Sequence, residues 1–129
     1  MEPASFLDLA EKLILDPLAD ESFFRTAIGR SYYFSFHYIL KKIEEAKGRS
    51  VQAEHEPHSK LIHLLQSGKK SQFKAISNHL KDLRSKRVNA DYFLNMTIDK
   101  NSAQASLRLA KQIKSSADSL IEADYQSLD

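Results

Sequence analysis

The chain has 129 residues, 42% of them hydrophobic and 28% charged, with a formal net charge of +2. That length suits a single domain over residues 1–129, and that mixture suits a folded one, which excludes wholesale disorder. Three glycines and three prolines supply too few turns for a sandwich or barrel, and the absence of cysteine excludes disulfides, cysteine-held metals and a thiol nucleophile.

Helical periodicity runs through almost the whole sequence. Phe6, Leu9, Ala10 and Leu13 recur at helical spacing, predicting a first helix over residues 4–15 that Asp16-Pro17 ends. Asp20, Glu21 and Ser22 then offer a cap and acids for a second helix start. No proline interrupts that helix before about Ala46, and Lys47-Gly48 gives it a basic end with a glycine stop. Gly48 to Pro57 reads as a polar loop, followed by a short helix around His58–Ser67. Beyond Gly68 and Ser71, a fourth helix carries Phe73, Ile76, Leu80 and Leu83 on one stripe toward Tyr92. Asn95 to Ser102 reads as a linker, and the last helix places Ala103, Leu107, Ala110, Ile113, Ala117, Leu120 and Ile121 on one side. The pattern is all-α: an up-and-down four-helix bundle with one additional short helix.

No stretch reaches the ~20 apolar residues of a membrane span. The first residues, Met1-Glu2-Pro3, show no basic region leading into an apolar core. Together with the lack of cysteine, these features predict a cytoplasmic protein with no membrane partner. The small net charge hides an asymmetry. Lys69 to Arg87 holds seven basic residues against Asp82 alone, whereas Ser115 to Asp129 holds four acids and no base.

The second helix is apolar nearly all round, as a helix between neighbours is. Its narrow polar strip holds Thr26, Arg30, His37, Lys41 and Glu44, with Tyr33 at the edge. Arg30 and His37 stand two turns apart on that strip. An arginine is a permanent planar cation for phosphate, and a histidine moves protons near neutral pH; equally, every amphipathic helix needs one wet edge. On the fourth helix the apolar stripe runs into Arg84, Arg87 and Asp91, ionised groups where the period asks for core. Arg87 and Asp91, four apart, can form a structural pair, or the charges can line a polar cleft. Lys81 and Lys86 fall on the solvated side. His79 reads as a surface residue.

His55, His58 and His63 with Glu54 and Glu56 leave zinc as one reading, but His58 and His63, five apart, match one helix face poorly; a solvated loop with a helix-start histidine is the expectation, and no metal. No phosphate-loop, dinucleotide, zinc-protease or hydrolase signature occurs, so no cofactor is expected either.

The run from Arg25 to His37, containing Tyr32-Tyr33 and Phe36-His37, resembles the central helix of HEPN domains (higher eukaryote and prokaryote nucleotide-binding). His58 with Leu61, Ile62 and Leu64 is similar to a further segment of that family, and Leu80 to Tyr92, with Arg84, Arg87 and Ala90-Asp91-Tyr92, to another. The resemblance covers nearly the whole chain in order. It implies a helical bundle, a homodimer, and an RNA- or nucleotide-binding module of a toxin–antitoxin or defence system. It also implies two alternatives: a metal-independent endoribonuclease, or a non-catalytic partner subunit of a small nucleotidyltransferase. Active members place a histidine four to six residues after an arginine on the fourth helix; here Val88 to Leu94 holds none. Arg30, Tyr33, His37, Arg84, Arg87, Asp91 and Tyr92 are the expected binding residues, with His37, Arg87 and Asp91 as catalytic candidates.

Overall fold

The computed structural model describes residues 1–129 and contains six helices. They are α1 (Ala4–Leu15), α2 (Glu21–Lys47), α3 (Pro57–Gln66), α4 (Ser71–Tyr92), α5 (Lys100–Asp118) and α6 (Glu122–Gln126). The four long helices and the short α3 agree with the sequence pattern. Helix α2 is the axis of the fold and packs against α1, α4, α5 and α6, which explains why it has so little polar surface.

The helix ends follow local chemistry. Asp20 caps α2 by accepting from the Phe23 N–H at 3.3 Å, and Asp99 caps α5 by accepting from the Ser102 N–H at 2.9 Å. Gly48 closes α2 at φ 68°, a left-handed turn that glycine makes without a steric penalty. Gly68, in the turn between α3 and α4, is required for another reason. A Cβ there would lie 2.4 Å from Cδ2 of Phe73 and 2.9 Å from Cδ2 of Leu128.

The main core joins Phe34, Ile39 and Ile43 of α2 to Leu65 of α3, to Phe73, Ile76, Leu80 and Leu83 of α4, and to Ile113 of α5. A smaller cluster of Ala10, Ile14, Ala27, Ile28, Ala90, Ile98 and Ala103 fills the opposite end. There Arg25 ties α2 to the C-terminus of α4. Its guanidinium donates to the carbonyls of Ala90 (2.7 Å), Phe93 (3.3 Å) and Met96, and pairs with Glu21 at 3.1 Å. The last carbonyls of a helix have no intrahelical donor, so a cation placed there satisfies several at once.

The C-terminal segment departs from expectation. Helix α5 stops at Asp118, and Ile121, expected on its apolar side, is 64% exposed. The chain turns back as α6, a second short helix, and buries Tyr125 and Leu128 in the main core. The Tyr125 hydroxyl donates to the Ala117 carbonyl at 2.7 Å, and Lys47 donates to the carbonyls of Gln126 and Leu128. Two of the four acids of this segment are paired: Asp118 with Lys42 and Lys114, Asp124 with Lys70. No helix is long and apolar enough to cross a membrane.

Candidate functional site

Three members of the polar strip on α2 have structural partners. Thr26 bonds its own helix through the Ser22 carbonyl, Lys41 pairs with Glu2 at 2.6 Å, and Glu44 accepts from the Val51 N–H at 2.9 Å. Arg30 and His37 do not. Arg30 makes no ion pair; its guanidinium lies 5.8 Å from the Phe6 ring and 5.9 Å from the Tyr33 ring. His37 stacks between aromatic neighbours, 5.8 Å from Phe6 and 6.4 Å from Tyr33, and burial lowers its pKa.

Beside this aromatic ledge opens a cleft of about 470 Å³, bounded by α2, the start of α3 and the second half of α4. Helix α2 contributes Tyr32, Tyr33, Phe36 and His37; α4 contributes Arg84 and Arg87; α3 contributes His58. The chain enters α3 through Glu56, which holds a left-handed φ of 50°, and Pro57 occupies the first helical turn. This entry sets His58 toward α2, where its Nδ1 lies 2.9 Å from the Tyr32 hydroxyl.

Arg87 is the centre of the cleft. Its guanidinium stands 5.0 Å from the Tyr32 ring centroid and 5.7 Å from that of Tyr33. One nitrogen pairs with Asp91 at 3.0 Å, while its buried Nε has no hydrogen-bond partner. The structural pair and the polar cleft, open alternatives in the sequence, therefore share one arginine. Arg84 is exposed on the cleft wall and has no ion-pair partner. Burial first, then Arg84, Arg87 and Lys81, push the His58 pKa down to about 4. Burial raises the Tyr32 hydroxyl, with the same two arginines pulling it down. At pH 7 both rings are neutral, and the arginines dominate the field.

Of the residues expected to bind, Tyr33, His37, Arg84 and Arg87 line this cleft. Arg30 flanks it through Tyr33, and Asp91 stands behind Arg87. Tyr92 is 71% exposed at the last turn of α4 and does not line it. Tyr32 and His58 are the additions. Tyr32 had the spacing of core cover, and His58 that of a helix-start residue; the Tyr-Tyr pair and Pro57-His58 were the only local signals. His79 is half-buried rather than on the surface. No three histidine, aspartate or glutamate side chains gather as a metal site. No family model, curated protein or solved structure matches the chain.

Proposed function

We propose that the chain is a HEPN-like module that binds a phosphate of RNA or of a nucleotide in the α2–α3–α4 cleft. One observation carries this reading: Arg84 and Arg87 converge on a cleft walled by Tyr32, Tyr33 and His58, with Glu56 as its one acid. Guanidinium groups hold phosphate through charge and paired N–H donors, and aromatic rings accept a base or ribose face. The resemblance supports a place in a toxin–antitoxin or defence system and a homodimer, and the lack of cysteine supports the cytoplasm.

Binding of fluorescent RNA and of AMP to the purified chain tests this reading. Arg87→Ala and Arg84→Ala should each weaken both by about tenfold, the worth of one charge-assisted contact. Wild-type protein that binds neither ligand at low salt would refute it.

A second reading, metal-independent RNA cleavage, is favoured by geometry: His58, Arg84 and Arg87 line one cleft. The ribose 2′-hydroxyl would attack the adjacent phosphorus and release the 5′-oxygen, which solvent protonates. His58 would take the 2′-hydroxyl proton, and Arg87 would stabilise the charged phosphorane. RNA that stays intact in chelator-containing buffer would refute this reading and leave the first untouched.

A further inference from the structure

A second concavity lies along the same face of α4. It has a volume of about 630 Å³ and is lined by the α3–α4 turn and the first half of α4, including Lys69, Lys70, Lys74 and Lys81, with no carboxylate among its lining residues. Lys70 is engaged by Asp124 at 3.3 Å, whereas Lys69, Lys74 and Lys81 make no ion pair. Helix α4 begins here without a side-chain cap and without an acid in its first turn; of its first N–H groups, that of Phe73 donates to the Lys70 carbonyl at 3.1 Å. Ser77 also lines the basin. It is 1% exposed, and its Oγ has no hydrogen-bond partner, an uncompensated polar group at the floor of a cationic hollow.

The basin and the cleft are neighbours along α4, Lys81 lining the one and Arg84 the other. Lys74, Ser77, Lys81 and Arg84 recur at intervals of three, four and three, which places them on one helix face. Lys81 lines the basin, yet its charge also acts on His58 in the cleft. From Lys70 to Arg87 the helix rises about 25 Å, the length of about seven stacked nucleotides.

We infer that the lysine basin is a second phosphate-binding site, and that cleft and basin form one track for a single-stranded RNA segment rather than a pocket for a mononucleotide. The inference rests on the phosphate-binding reading of the cleft. The aromatic ledge at one end stacks bases, and the lysines follow the backbone away from it, the division of labour that single-strand binders use. An acidic peptide would use the lysines but leave Tyr32, Tyr33 and His37 without a role. A lipid surface would meet two hollows rather than a flat cationic face.

The test compares binding of labelled single-stranded RNAs of two and eight nucleotides to the full chain, across salt. Three lysines neutralising three phosphates steepen the salt slope by about 2, so raising salt from about 50 to about 200 mM should weaken the eight-mer about 15- to 20-fold more than the two-mer. A Lys69→Gln, Lys74→Gln double variant, its fold checked by circular dichroism, should bind the two-mer as wild type does and lose about two-thirds of the extra slope. Equal affinity for both lengths, or length dependence that survives undiminished in the double variant, overturns the track while the cleft reading stands. A polyglutamate peptide or phosphatidylserine vesicles bound more tightly than the eight-mer, through the same lysines, overturns it in favour of that partner. Failure of both RNAs to bind wild type at low salt overturns the cleft reading and the track together.

Discussion

His58 offers the sharpest physical test of the cleft. In an unfolded chain its imidazole titrates near 6.5; in the fold, burial and the charges of Arg84, Arg87 and Lys81 push the pKa down to about 4. Between these values the unfolded chain binds a proton that the folded chain refuses, so stability falls as pH drops through that window and is fully present above it. The gap corresponds to about 3 kcal/mol, which solvent on the open side of the ring reduces to about 1–2 kcal/mol. Urea melts of wild type and His58→Gln at pH 7 and 4.5 isolate this share, because carboxylates held low elsewhere, such as Asp99 and Asp124, contribute to both proteins alike. Wild type should lose about 1–2 kcal/mol more than the variant. An NMR titration should show His58 protonating far below the ordinary imidazole range, near 4, and added phosphate should move its pKa upward. A His58 that titrates between 6 and 7, or parallel losses in the two proteins, would refute the reasoning.

Three further predictions concern the scaffold. Gly68→Ala forces a methyl group into the Phe73 ring and should cost about 1–3 kcal/mol in a denaturant melt; a cost under about 0.5 would mean the turn relaxes freely. Leu128→Ala removes a side chain that is 1% exposed and should cost about 2–4 kcal/mol, whereas an undocked C-terminal segment would show almost none. Arg25→Met strips the donors from the Ala90, Phe93 and Met96 carbonyls and should lower the melting temperature by an amount corresponding to about 2–4 kcal/mol; an unchanged melt would show that water replaces the guanidinium without loss.

The long helices were legible because each one repeats its apolar spacing over several turns and is bounded by local signals such as Asp16-Pro17 and Lys47-Gly48. Helix α6 was not, since five residues cannot display a helical period, and Tyr125 and Leu128 are isolated apolar residues in an acidic stretch. Arg84 and Arg87 stood out because charge interrupts an apolar stripe within one helix. His58 did not stand out, because its meaning comes from Tyr32, 26 residues away, and spacing rules reach only along a single element. Tyr92 misled for the opposite reason: it follows Asp91 directly in sequence, but one residue of helix turns a side chain by about 100°.

Arg25 has a consequence for genetics. It touches nothing in the cleft, yet it holds the final turn of α4, one turn beyond Arg87 and directly beside Asp91. A loss-of-function screen would score Arg25 alongside the binding arginines, as if it met the ligand. The two classes separate on abundance. Cells carrying an Arg25 variant should contain less of the protein, whereas cells carrying an Arg84 variant should contain as much as before and simply fail to use it.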